Sequence, residues 1–375
     1  MAVCGSVEAR RGVVLAKNEL AKRYGIRTGE TVFSAKKKCP SLVLCGTHFK
    51  EYADYSKRVR EIYARFTDKI EAFSIDECFL DVTESDYLFG TGREIAERIR
   101  ETVKAELSLT VSVGVSFNKV FAKIASDLKK PDAVTEITRE NYREKLYRLP
   151  VSAMLYVGKA TEQTLAKAGV HTIGDLAKQS KERMTGLLGK RGALLLSYAR
   201  GEDDSPVETE SRDLKSIGNS LTTPEDLFDR EDVKRFLYIL AESVAARLRQ
   251  SGAGKADTVH ITVRDSSFRT QGWQKKIAPT CLCDQIAKHA FSLFCERYEG
   301  GGVRMLGVSV SGFTGGTEQL SLLNEGEEKK ERLESAIDKL RDKYGYRSVQ
   351  RGIMFEREEC ADMDLQGERL SGKED

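Results

Sequence analysis

The chain has 375 residues, 61 basic and 58 acidic side chains, and a formal net charge of +3. At about 100–200 residues per domain, that length accommodates roughly two to four domains, so core size is no limit. No apolar run approaches the ~18 residues of a membrane-spanning helix, which excludes an integral helical membrane protein. The opening MAVCGSVEARR lacks the apolar stretch of a signal peptide, so a cytoplasmic location is expected. Cys4, Cys39, Cys45, Cys78, Cys281, Cys283, Cys295 and Cys360 form no CxxC pair, which argues for reduced thiols over a disulfide framework or zinc knuckle. Charge is uneven along the chain: residues 1–323 carry a net +7 and residues 324–375 a net −4. A basic body with an acidic tail is compatible with a polyanionic ligand.

In chain order, MAVCG and RRGVVLA read as short strands, KNELAKRYG as a helix stopped at Gly25, and SLVLCG as a strand. Tyr52, Tyr55, Val59, Ile62, Tyr63 and Phe66 recur at helical spacing. KIEAFSI and CFLDV are strand-like runs meeting at Asp76-Glu77, followed by the amphipathic REIAERIRETVKAEL, the strand LTVSVGVSF and the helix NKVFAKIASDLKK. Residues 143–201 offer short helical pieces punctuated by glycine, and GEDDSPVETESRDL is the best linker in the chain. The order after it is β-α-β-β-α-β over residues 215–314, the ferredoxin-like arrangement. In its second strand Val259, Ile261 and Val263 alternate with His260, Thr262 and Arg264, which predicts one buried and one polar sheet face. Residues 325–343 form a charged helix candidate without an obvious core face.

Three groups of residues could carry chemistry. Adjacent Asp76 and Glu77 point to opposite faces inside a regular strand but converge at a hairpin. Flanking apolar runs would bury them there, and buried paired carboxylates require a cation such as Mg²⁺; an exposed turn is the alternative. Lys17, Lys22, Arg23, Lys119, Lys123, Lys129 and Lys130 lie on two elements that could serve a nucleoside triphosphate. Two solvated helix faces would explain the same pattern. Gly158-Lys159, with a weaker echo at Gly189-Lys190-Arg191-Gly192, suits a helix-hairpin-helix whose backbone N–H groups bind phosphate. Ala160 replaces the second glycine of that motif, and a plain interhelix turn is the rival. The four histidines, His48, His171, His260 and His289, support no nucleophilic triad.

FSIDECFLDVT at 73–83, SVGVSFNKVFAKIASDLKKPD at 112–132, RRGVVLAKNELAKRYGIRTGE at 10–30 and KSIGNSLT at 215–222 together resemble the Y-family translesion DNA polymerases of the bacterial DNA polymerase IV-like branch. The resemblance spans residues 2–355 in consistent order. It implies an α+β, multidomain right-hand polymerase. Palm and fingers would occupy 1–140, a helical helix-hairpin-helix thumb 141–203, a linker 204–214, a ferredoxin-like little finger 215–314, and a clamp-binding peptide with a charged tail 315–375. Asp76 and Glu77 would match the palm carboxylates that bind two Mg²⁺ ions. Lys130 would hold the incoming dNTP, Lys22 falls where an arginine is common, Glu19 where a tyrosine is common, and Val13 and Leu15 would lie near the nascent base pair. Primer-template DNA would be held by Gly158, Lys159, Lys190 and Arg191 of the thumb and by Arg264 and Arg269 of the little finger. Gln319, Leu320, Leu322 and Leu323 resemble the peptide that binds the bacterial sliding clamp, with Leu323 where phenylalanine is frequent. A monomer is implied.

The family's first palm strand carries a further acidic residue and an aromatic that excludes ribonucleotides, and MAVCGSVEARRG matches the family only after them. A late start or fragment is therefore expected, leaving the two-metal site short of a ligand. Two other readings stand beside the polymerase: a catalytically impaired DNA- and clamp-binding fragment, and a nucleotidyl cyclase, against which the thumb-like turns argue. Little polymerase activity is expected of this chain, with DNA binding retained. Because phosphate contacts release counterions, log affinity for duplex DNA should fall linearly and steeply with log salt; a salt-independent affinity would contradict this.

Overall fold

The computed structural model describes residues 1–5, 12–209, 214–315 and 325–354. Two compact units are present, one holding Met1–Phe49 and the described residues from 214 onward, the other the described residues 50–209. Among the described residues no helix is long and apolar enough to cross a membrane.

In the second unit, helix Phe49–Tyr63 leads into the hairpin Ile70–Ala72 and Cys78–Leu80, paired antiparallel with Ile70 opposite Leu80. Helix Gly92–Leu107 follows, started by a reciprocal capping box between Thr91 and Glu94. Its buried Ile95, Ile99 and Val103 pack with Ile62 and Phe66. Strands Val113–Ser116 and Val134–Ile137 then pair in parallel, joined by helix Lys119–Leu128. That helix begins where the Asn118 side chain accepts the Phe121 N–H at 2.8 Å. Its Val120, Phe121, Ile124 and Ala125 are buried. Strand and helix approach so closely at Gly114 that a Cβ there would sit 1.9 Å from the Ala122 carbonyl oxygen, which only glycine permits.

The same helix's buried face joins a core with Leu146, Leu165, Ile173, Leu176, Met184 and Leu195 from the glycine-punctuated segment. That segment is helical, as its pattern predicts, with helices Tyr142–Leu146, Lys159–Lys167, Ile173–Ala177, Lys181–Leu188 and Lys190–Ala199. The stretch read as a linker begins tied down: the Pro206 carbonyl accepts from Lys119 Nζ at 2.7 Å and the Glu208 N–H donates to Glu71 at 3.0 Å.

The first unit contains a small sheet in which Ala2–Cys4 pairs antiparallel with Val14–Lys17 and parallel with Leu44–Cys45. Its later part has the expected β-α-β-β-α-β order: strand Ser216–Leu227, helix Arg230–Gln250, strands Ala256–Asp265 and Thr270–Thr280, helix Cys283–Arg297, strand Val303–Phe313. Across the sheet the strands run third, second, fourth, first, every neighbour antiparallel, so two split β-α-β units interleave. Val259, Ile261, Val263, Leu306, Val308 and Val310 face the helices in one core. At about 1.5–3 kcal/mol per buried aliphatic side chain, this core is the main stabiliser of the domain.

Helix Glu325–Tyr344 corrects an expectation. It does have a buried face, and that face is charged. Glu334 and Arg341 are 7% and 5% exposed. Arg341 donates to Glu242 at 2.9 Å, Tyr346 to Glu242 at 2.7 Å, and Arg249 to Glu334 at 2.5 Å and Asp338 at 2.7 Å. Arg351 joins Glu242 and Glu334 at 3.1 and 2.7 Å. Hydropathy hides such a face because its burial is balanced by partners on other elements rather than by apolar side chains. Glu242→Ala should therefore destabilise the protein to urea by about 3–5 kcal/mol, because Arg341, Tyr346 and Arg351 lose the buried carboxylate they share. Lys234→Ala, which breaks a half-buried pair with Glu231 and a contact over the Phe291 ring, should cost about 1 kcal/mol or less in the same measurement.

Candidate functional site

The sequence places Asp76 and Glu77 between two strands, and the structure makes that junction a tight turn. The N–H groups of Phe73 and Ser74 both donate to the Glu77 carbonyl, at 2.9 and 3.1 Å. The Ser74 hydroxyl donates to Asp76 at 2.7 Å. From helix Phe49–Tyr63, the Ser56 hydroxyl donates to the Ile75 carbonyl, and Arg60 donates to Ser56 at 3.0 Å. Both ends and the middle of the turn are thus pinned. The expected burial is not found: Asp76 is exposed and Glu77 half-buried. Phe73 and Phe79, which flank the turn, meet edge to face with ring centroids 5.3 Å apart, so the flanking apolar residues support the turn without enclosing it.

Facing the turn is the polar side of helix Lys119–Leu128. Lys119 Nζ pairs with Glu71 at 2.8 Å, and Lys123 Nζ with Glu77 at 2.8 Å and Asp127 at 3.0 Å. Lys130 Nζ, just past the helix, pairs with Asp127 at 2.7 Å. The Lys119 and Lys123 side chains are only 17% and 18% exposed, so this is not the solvated face that helical spacing alone would explain. Burial opposes the charge on Lys123, but its hydrogen bonds to Glu77 and Asp127 outweigh this and hold its ammonium above the usual lysine range. The reverse balance holds Asp127 below the usual carboxylate range: burial raises it, and the Lys130 and Lys123 hydrogen bonds lower it further.

The segment after Lys130 is anchored by Asp132, which accepts from Arg100 at 3.0 Å and Lys104 at 2.7 Å. Glu77, Lys123 and Lys130 are therefore brought into one cluster. Asp127, Asp132, Ser56 and Arg60 were not singled out by the sequence reading. The spacing of Lys123, Asp127 and Lys130 at i, i+4 and i+7 is the one signal that could have found Asp127.

The remaining candidates fall elsewhere. Gly158 caps helix Lys159–Lys167 with open space on its Cβ side, and Lys159 is exposed. Lys190 and Arg191 are exposed at the start of the next-but-two helix, after Gly189 at φ +63°. Val13, Leu15 and Lys22 lie in the first unit; Val13 and Leu15 are exposed, and Lys22 makes an exposed pair with Glu19 at 3.4 Å. Gln319, Leu320, Leu322 and Leu323 lie outside the described residues.

On the four-stranded sheet, the face turned away from the helices is built of small and polar side chains. One row across it reads Ser220, Gly307, Thr262, Gly272, and the next Gly218, Ser309, His260, Gln274. Arg264 is on this face with Nε 2.9 Å from Thr270, and Arg269 is exposed at the adjoining turn. A surface of glycine, serine and threonine leaves room for a close-lying extended polyanion, and the two arginines at its edge are cations that could meet its charge.

Comparison with known proteins finds matches in two stretches of the chain. Residues 1–127 match the impB/mucB/samB family and residues 214–322 its C-terminal domain. The DNA polymerase IV of Acetivibrio thermocellus is 46% identical over 364 residues, covering 95% of this chain and 91% of that protein. The DNA polymerase IV of Clostridium acetobutylicum is 35% identical over 358 residues, covering 95% and 90%. Among solved structures, the Y-family DNA polymerase chimera Dbh-Dpo4(243-245)-Dbh superposes with TM-score 0.75 at 26% identity, covering 84% of this chain and 92% of that one. An insertion ternary complex of Dbh DNA polymerase gives TM-score 0.58 at 26% identity, covering 83% and 91%.

The anchoring carboxylate Asp132 has a pH signature. Hydrogen bonds from Lys104 and Arg100 lower its pKa in the folded state. A lowered carboxylate contributes stability fully above its unfolded value of about 3.9 and loses it as pH falls through the lower folded value. Asp132→Asn should therefore lower the urea midpoint at neutral pH and flatten its decline below about pH 4. An unchanged acid limb would show that the pair contributes nothing.

Proposed function

The chain belongs to the Y-family DNA polymerases of the DNA polymerase IV type, and we propose that it adds dNMP units to a primer 3′-hydroxyl by metal-assisted phosphoryl transfer in DNA damage tolerance and repair. The observation that carries this reading is the pinned Asp76-Glu77 turn set against Lys123 and Lys130. The donor set suits Mg²⁺, which is commonly held by one or two carboxylates and completes its shell with water and substrate phosphates. Bound there, the ion would neutralise triphosphate charge and polarise the phosphorus under attack. A second ion would need ligands beyond this pair. Among the described residues, no group of three or more His, Cys, Asp or Glu side chains comes together to hold a metal.

The chain's own residues do the positioning. Asp76 and Glu77 hold the cation at the turn. Lys130, anchored through Asp127 and by the Asp132 clamp behind it, offers its ammonium to the triphosphate oxygens. On the family pattern Lys22, Val13 and Leu15 are further nucleotide-binding residues. Gly158, Lys159, Lys190 and Arg191 meet the DNA backbone through exposed helix N-termini, and Arg264 and Arg269 through the polar sheet face. These contacts reach phosphate, not base edges, so they hold primer-template without selecting sequence. Residues 319–323 are proposed from their sequence as the sliding-clamp peptide, and a monomer as the working state.

A second reading, a DNA- and clamp-binding protein with impaired catalysis, draws on the shortage of metal ligands among the described residues. Primer extension with dNTPs and Mg²⁺ separates the two. Template-matched extension that Asp76→Asn reduces by about 100-fold or more supports the polymerase. No extension by the unsubstituted chain, with DNA binding intact, supports the second reading.

A further inference from the structure

Glu77, Lys123, Asp127 and Lys130 form an unbroken row of alternating charge, with contacts of 2.8, 3.0 and 2.7 Å. The two inner members each serve two neighbours. Lys123 divides its ammonium between Glu77 and Asp127, and Asp127 gives one oxygen to Lys123 and the other to Lys130. The ends of the row are the groups assigned above to the cation and to the triphosphate.

We propose that this row is a coupling device in which Asp127 acts as a positioning residue, linking occupation of Glu77 by a divalent cation to release of Lys130 for a nucleoside triphosphate. The inference rests on the nucleotide-binding reading of Lys130 and deepens it. A cation at Glu77 repels the Lys123 ammonium, which then settles on Asp127. Asp127, with Lys123 wholly its own, holds Lys130 less strongly, and Lys130 is free to turn to phosphate. Run backwards, a triphosphate that takes Lys130 leaves Asp127 to Lys123 and so frees Glu77 for the cation. Linkage requires the two effects to be equal. Geometry favours exchange over a rigid lock: Lys123 is largely buried on a helix, whereas the Asp127 and Lys130 side chains are 51% and 54% exposed and can change partner without leaving a buried charge alone. Each pair is of the modest strength expected near a surface, which sets the coupling at about three- to tenfold.

The test is equilibrium binding of the non-hydrolysable α,β-imido analogue of the templated dNTP to the full chain on primer-template DNA. Affinity is measured with Mg²⁺ and again without any divalent ion. Chelation of Mg²⁺ by the nucleotide in solution is common to every variant, so the change in the Mg²⁺ enhancement reports the row. Asp127→Asn should tighten binding in the absence of metal, because Lys130 is no longer held, and lower the Mg²⁺ enhancement by about three- to tenfold. Asp127→Ser should do the same, and Asp127→Glu should keep the enhancement within about twofold. An enhancement equal in Asp127→Asn, Asp127→Ser and the unsubstituted chain overturns the coupling while leaving nucleotide binding intact. If the unsubstituted chain binds no analogue, the nucleotide-site reading fails and the coupling with it.

Discussion

The helix Lys119–Leu128 has two faces, and the second unit is organised by how they are satisfied. Val120, Phe121, Ile124 and Ala125 enter a core shared with the following helical segment, and the Gly114 strand lies directly against the helix backbone. That fit leaves the helix no freedom to turn. Its opposite face must then present Lys119 and Lys123 toward the hairpin, where burial of a lone ammonium would be costly. Glu71 and Glu77 meet that need. Apolar packing on one side thus dictates the electrostatics on the other, and the candidate site is the result.

A similar logic, with charge in place of hydrocarbon, holds the end of the described chain. Glu242 sits in the middle of a helix whose neighbours are Ala241, Ser243 and Val244, all buried. A carboxylate there is tolerable only with several donors, and Arg341, Tyr346 and Arg351 supply them. Such a network adds little net stability over a hydrophobic contact, but it demands one register of helix Glu325–Tyr344 against the domain. Burial also raises the Tyr346 hydroxyl pKa, which keeps it a donor to Glu242.

Much of this was legible in the order of residues. The strand pairs around Asp76-Glu77, the helices with apolar spacing and the β-α-β-β-α-β unit all follow from local periodicity, which is a property of neighbours in sequence. The alternation of Val259, Ile261 and Val263 with Thr262 and Arg264 correctly assigned the buried and polar faces of the sheet. Family resemblance named Lys130 but offered no partner for it. Asp127 went unnoticed because a carboxylate among lysines looks the same on a solvated helix as in a relay. Local spacing does not reveal the face of helix Glu325–Tyr344 because its partners Arg249 and Glu242 lie 85 to 99 residues away.

By itself, the sequence determined which elements form, which of their faces are apolar and which family the motifs resemble, since short-range spacing encodes all three. Tertiary structure decided which charges meet. Length and net charge first suggested only a large, slightly basic protein, but a net charge of +3 says nothing about pairing. Lys123 reaching across to Glu77, or Arg341 to Glu242, depends on how separate elements pack, and electrostatic energy depends on those distances and on the exclusion of water. No count along the chain contains that information.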